Sequence, residues 1–159
     1  MKPFDKEHLK FLATLNKFGV SYVIIGGHAA IYYGVNRNTG DLDVLIEASV
    51  ENGHKLISAL KNLKLDVPEI NDDEWTSNLV LSFGFEPDAI DILNYSPGLT
   101  FSEVKKNAVQ ITQEKIQTLI IDIRDLIRNK ELLNRQGEKA LLDKYDVEVL
   151  KKIIQKNKR

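Results

Sequence analysis

Residues Gly26–Glu47 read GGHAAIYYGVNRNTGDLDVLIE, and the pattern of this stretch decides the fold. At its end, Leu42, Val44 and Ile46 alternate with Asp41, Asp43 and Leu45, the period of two of a β-strand. Asp41 and Asp43 therefore point to one face, roughly 6–7 Å apart along the strand. Two ionised carboxylates so placed repel each other and gain most from a shared divalent cation that prefers oxygen, such as Mg²⁺. A bare Asp-x-Asp can also be a charged strand edge that discourages aggregation, so the residues upstream have to decide. Ser21–Ile25 (SYVII) is a β-branched and aromatic run of strand type that ends at Gly26-Gly27; a short helix-like segment follows, up to Gly34. A strand, a Gly-Gly turn and a helix start let backbone approach a phosphate, and the first helical N–H groups favour the anion. His28 lies in this turn, where it could contact a phosphate or act on a proton. Arg37 and Thr39 add a guanidinium and a hydroxyl suited to phosphate oxygens. The plain alternative for Arg37 is an ion pair with a nearby aspartate.

These residues together resemble the signature of the nucleotidyltransferase superfamily of the DNA polymerase beta type. More narrowly, the spacing is similar to that of small bacterial nucleotidyltransferases related to the abortive-infection AbiEii group and to antibiotic and toxin–antitoxin nucleotidyltransferases. The match spans Gly26–Glu47, with one departure: His28 follows Gly27 where polymerase-like members carry a serine after the first glycine. A second segment, DLIRNKELLNRQGEKALLDKYDVEVL, resembles the closing part of the same bacterial proteins, with Lys130, Lys139, Asp143 and Asp146 in place. The resemblance implies that Lys130 reaches nucleotide phosphates; as an ordinary helix-surface lysine it would be unremarkable.

The resemblance also asks for a third carboxylate on a later strand. Ser77–Phe85 and Ala89–Leu93 are strand-like runs separated by a turn at Glu86-Pro87-Asp88. Asp91, between Ile90 and Ile92, is costly in an apolar strand unless it is paired, bound to metal or facing a cleft. Asp88 competes for the role but belongs to the turn. Asp41, Asp43 and Asp91 are thus the expected catalytic and metal-ligating residues, and Gly26, Gly27, His28, Arg37, Thr39 and Lys130 the expected phosphate contacts. The implied reaction moves a nucleoside monophosphate from a nucleoside triphosphate, ATP first among them, to an acceptor hydroxyl. The acceptor is a small molecule, a protein or an RNA, and the cofactor is Mg²⁺ with Mn²⁺ as its alternative. The competing reading is a nucleotide-binding or antitoxin-type partner protein with weak or no transferase activity.

With 159 residues, of which 43% are hydrophobic, the chain is long and apolar enough to pack one domain over 1–159. The expected core covers about 20–121, with a helical segment over about 122–157. A net charge of −1 supplies no electrostatic drive toward a nucleic-acid duplex, which disfavours a template-dependent polymerase. There is no cysteine, and neither a signal peptide nor an apolar run of roughly 18–20 residues appears, so no membrane association and a cytoplasmic location are expected. Helices are expected over Phe4–Phe18 and Val50–Leu63, a loop over Lys64–Thr76 with Trp75 in the core, and a short helix over Thr100–Asn107. Strands are expected over Val109–Thr112 and Ile116–Ile120, followed by helices near Asp122–Asn134 and Gly137–Gln155. The fold class is α/β in the α+β sense, a nucleotidyltransferase fold with a mixed sheet flanked by helices and closed by C-terminal helices. His8 and His54 fall in the expected amphipathic helices and read as surface residues.

Overall fold

A computed structural model describes residues 3–158. Its strands are β1 (Tyr22–Ile25), β2 (Asp41–Ile46), β3 (Val80–Phe83), β4 (Ala89–Leu93), β5 (Val109–Gln113) and β6 (Ile116–Ile120). Its α-helices are α1 (Lys6–Lys17), α2 (Gly26–Tyr33), α3 (Val50–Asn62), α4 (Phe101–Asn107), α5 (Ile123–Leu132) and α6 (Glu138–Asn157). The strands form one mixed sheet in the order β3-β4-β2-β1-β6-β5. The expected mixed α/β architecture is therefore present.

Pairing follows the local sequence. All four residues of β1 are buried, so this central strand is covered on both faces and its sequence runs apolar without alternation. β2 keeps the alternation only in its first half: Asp41 and Asp43 are partly open, whereas Val44, Leu45 and Ile46 are all buried. One end of the sheet is thus sealed on both sides and the other opens on one face. β2 runs antiparallel to β1 and parallel to β4, while β3 with β4 and β5 with β6 pair as antiparallel neighbours. Glu114 and Lys115 join β5 to β6 with φ of 50° and 69°, the positive backbone angles a tight two-residue hairpin turn requires.

The helices are set by caps and stripes. Asp5 caps α1 by accepting from the backbone N–H of His8 at 2.8 Å, and Ser49 caps α3 at Asn52 N. Gly34 ends α2 in the left-handed region at φ 119°. α1 packs on α3, and α2 packs on α5 and α6, which also pack on each other. Trp75, expected in the core, is buried in a 3₁₀ turn (Asp72–Thr76) that ends the polar loop. Its indole lies so tightly on Gly53 of α3 that a Cβ there would overlap it.

Two expectations change. The strand expected over Ser77–Phe85 shortens to β3 because Asn94 takes the backbone groups of its first residues, accepting from Leu79 N at 2.8 Å and donating to Ser77 O at 2.6 Å. His8 is not a surface residue: it is 1% exposed, since the spacing 8, 11, 12, 15 sets it on the buried stripe with Phe11, Leu12 and Leu15. His54 does lie at the surface, its Nε2 2.8 Å from Asp72 Oδ1. Among the described residues no helix is long and apolar enough to cross a membrane.

Candidate active site

The open end of the sheet gathers the three aspartates. Alternation along β2 puts Asp41 and Asp43 on one face, and the parallel register of β2 with β4 sets Asp91 directly beside Asp43. One carboxylate oxygen of each residue lies within 4.8 Å of those of the other two. Burial, then the hydrogen bond and charge of Asp91, pushes the Asp41 carboxyl up to about 6. Burial, then the charges of Asp41 and Asp91, pushes Asp43 up to about 8. Three clustered carboxylates, with Asp41 and Asp43 pushed toward the neutral form, are a donor set that suits a hard divalent cation, so Asp41, Asp43 and Asp91 fit Mg²⁺ or Mn²⁺.

The Gly-Gly turn is shaped around these acids. Gly26 follows β1 with φ 71°, and a Cβ there would overlap the Asp43 carboxylate, so both its backbone angle and its space demand glycine. A Cβ on Gly27 would overlap Thr39, which lets the loop bearing Arg37 and Thr39 close over the turn. The Thr39 hydroxyl is 3.4 Å from Asp41 O. Together these residues line a cleft of about 260 Å³ between the sheet, the Asn38–Gly40 loop and the start of α6.

Not every expected phosphate contact reaches the cleft. His28 lies outside it, buried beneath the turn, with Nδ1 3.0 Å from Asp41 O and its ring stacked on Phe4. Burial, with His8 beside it, lowers this imidazole to about 4 and leaves it neutral near pH 7. Arg37 lines the cleft but is held from behind: Nε and Nη2 each donate to Asp146 of α6 at 2.8 Å. Its ion pair is therefore with an acid 109 residues away, not with Asp41 or Asp43. Lys130 is no surface lysine; it is 4% exposed, with Nζ 2.9 Å from Asp146 and 3.4 Å from Asp143. Arg135 completes the chain by donating to Asp143, with Nε at 2.7 Å. Burial works against the Asp146 carboxylate, but Arg37 and Lys130 outweigh it and hold the group below its usual range.

Two cleft residues carry more than the sequence suggested. Lys139, on the first turn of α6, lines the cleft, acts on Asp41 and has no ion-pair partner among the described residues. Glu86, assigned only to a turn, packs on Gly40 and adds a fourth acid near Asp41. Lys139 belongs to the 125–150 segment that the sequence already singles out; nothing in the sequence points to Glu86.

This arrangement can be compared with known proteins. The solution structure of the antibiotic-resistance factor ANT(2'')-Ia matches over 96% of this chain and 92% of its own, with a TM-score of 0.50 and 14% sequence identity. The chain has a nucleotidyltransferase fold. At that identity the likeness concerns the fold alone, and nothing narrows it to the AbiEii-related group that the sequence resembles. No family model and no curated protein matches the sequence.

Proposed function

We propose that this protein is a metal-dependent nucleotidyltransferase that moves a nucleoside monophosphate from a nucleoside triphosphate, ATP first, to an acceptor hydroxyl. The observation that carries the reading is the convergence of Asp41, Asp43 and Asp91 on the open face of β2 and β4, with Gly26 packed against Asp43. A carboxylate trio at a glycine turn has no structural use that a neutral trio would not serve better.

Asp41, Asp43 and Asp91 would hold Mg²⁺ or Mn²⁺, which supplies charge neutralisation for the triphosphate and for the pentacoordinate transition state. Gly26 and Gly27 offer backbone approach to the phosphates, and the Thr39 hydroxyl and Lys139 ammonium offer a hydrogen bond and a free positive charge. In the reaction the acceptor oxygen bonds the α-phosphorus, the bond from that phosphorus to the pyrophosphate oxygen breaks, and pyrophosphate leaves. Asp91 would take the acceptor proton. Positioning and electrostatics carry most of the rate, as in other phosphoryl-type transfers.

The competing reading is a nucleotide-binding, antitoxin-type partner with little transferase activity. It is favoured by the engagement of Arg37 and Lys130 with Asp146, which leaves Lys139 as the unpaired cation at the cleft among the described residues. Incubation with each α-labelled triphosphate, Mg²⁺ and cell lysate decides between them. Transfer of label to a discrete acceptor, lost in Asp91→Asn, supports the enzyme; Mg-ATP binding without labelling of anything supports the partner.

A further inference from the structure

A second group of side chains, away from the cleft, is arranged for a ligand that nucleotidyl transfer does not use. Asp5 precedes α1, His8 lies in its first turn and Asp88 closes the turn before β4, yet one ligand atom of each lies within 4.8 Å of the others. Asp5 Oδ1 stands 3.4 Å from His8 Nδ1. A carboxylate oxygen of Asp5 and one of Asp88 lie within 4.8 Å of each other, an approach of two acceptors that repels unless a proton or cation lies between them.

His8 supplies the independent observation. It is 1% exposed, and neither ring nitrogen has a hydrogen-bond partner among the described residues. Buried polar groups in folded proteins are nearly always satisfied, so an imidazole sealed on the core stripe, with Nδ1 3.4 Å from Asp5 and a ring nitrogen within 4.8 Å of an Asp88 oxygen, is waiting for a partner. Its ring packs edge-on against His28 at 4.9 Å, so the ring is held in place on the core side.

We propose that Asp5, His8 and Asp88 form a binding site for one divalent first-row transition-metal ion of the Zn²⁺ class, with water completing its coordination. The donor chemistry separates this site from the cleft. One imidazole and two carboxylates suit a borderline ion, whereas three carboxylates alone suit Mg²⁺. Asp5 and Asp88 are exposed and His8 is buried, so the ion has an entry path from solvent and a rigid anchor inside. Bound there, it would fasten the N-terminus of α1 to the turn that leads into β4. The edge-on contact of His8 with His28, and the 3.0 Å contact of His28 Nδ1 with Asp41 O, connect it to the catalytic strand.

The test is calorimetric titration of the full chain with ZnCl₂ in millimolar Mg²⁺, alongside the imidazole proton spectrum. One equivalent of Zn²⁺ is expected to bind and to shift the His8 ring resonances. Asp88→Asn lies in an exposed turn, and Asp5→Asn keeps a side chain that caps a helix as well as aspartate does, so both variants should fold. Each should weaken Zn²⁺ at least about tenfold through loss of one ligand charge, while Asp43→Asn leaves it unchanged. No Zn²⁺ binding by wild type below 100-fold molar excess overturns the proposal. So does affinity retained in either ligand variant, or affinity lost in Asp43→Asn, which would assign the ion to the cleft.

Discussion

Two clusters of charge meet at the cleft, and they are built on opposite rules. On the sheet, Asp41, Asp43 and Asp91 crowd like charges together, and two of the three are pushed up toward neutrality. On the helical side, Arg37, Asp146, Lys130, Asp143 and Arg135 alternate in sign, so each buried charge meets its opposite. The second cluster is complete without any ligand and holds α5, α6 and the Arg37 loop together. The first is an electrostatic liability without a cation. Where a fold satisfies one buried charge cluster and leaves its neighbour frustrated, the frustrated one is the better candidate for chemistry.

Neutralising one member of each cluster should separate the two roles. Asp43→Asn is expected to lower nucleotidyl transfer by about 10²–10³-fold or more, measured as labelled product per enzyme, because a charge acting in the transition state is removed. Its melting temperature should stay level or rise. Asp146→Ala should do the reverse: by leaving Arg37 and Lys130 buried without their shared carboxylate, it is expected to cost about 3–5 kcal/mol in urea unfolding. Equal destabilisation by the two variants would erase the contrast.

The frustrated cluster also predicts a pH dependence. Because the Asp43 carboxyl sits near 8 in the folded metal-free protein and near its ordinary value when unfolded, the folded state binds more protons between about pH 4 and 8. Stability of the metal-free protein should therefore fall as pH rises through that window, on the order of a few kcal/mol. Asp43→Asn should flatten the slope, its gain over wild type being largest at pH 8 and vanishing toward pH 4. Millimolar Mg²⁺ should flatten it too, and a slope that survives both treatments would move its cause away from the aspartates. The smallest effect concerns Lys139: since it has no partner to strand, Lys139→Ala should weaken Mg-ATP by roughly tenfold, about 1.4 kcal/mol, with no change in melting temperature. Loss of stability there would give Lys139 a structural role instead.

Much of this is local and therefore readable along the chain. Strand β6 and the Ala89–Leu93 strand run over the residues expected, and α1, α3 and α5 begin within two residues of theirs, because apolar period, caps and glycine stops act over a few residues. The common face of Asp41 and Asp43 likewise follows from the strand period alone. The exposure expected for His8 does not hold, because histidine is intermediate in burial and its spacing to Phe11, Leu12 and Leu15 puts it on the buried stripe.

The amino-acid sequence by itself determined the elements, the glycine turn and the pair of aspartates one strand carries, since each depends on backbone geometry and neighbours a few positions away. Only the tertiary structure decided which charges would meet across more than a hundred residues. Arg37 and Asp146 find each other because α6 folds back over the loop before β2, and Lys130 joins them from α5. Long-range pairing of charges leaves no period in a sequence, because any lysine or arginine can serve any acid that packing brings within reach. The same packing leaves Lys139 facing the cleft unpaired among the described residues, and sets Asp91 beside Asp43 through a strand register that no local pattern specifies.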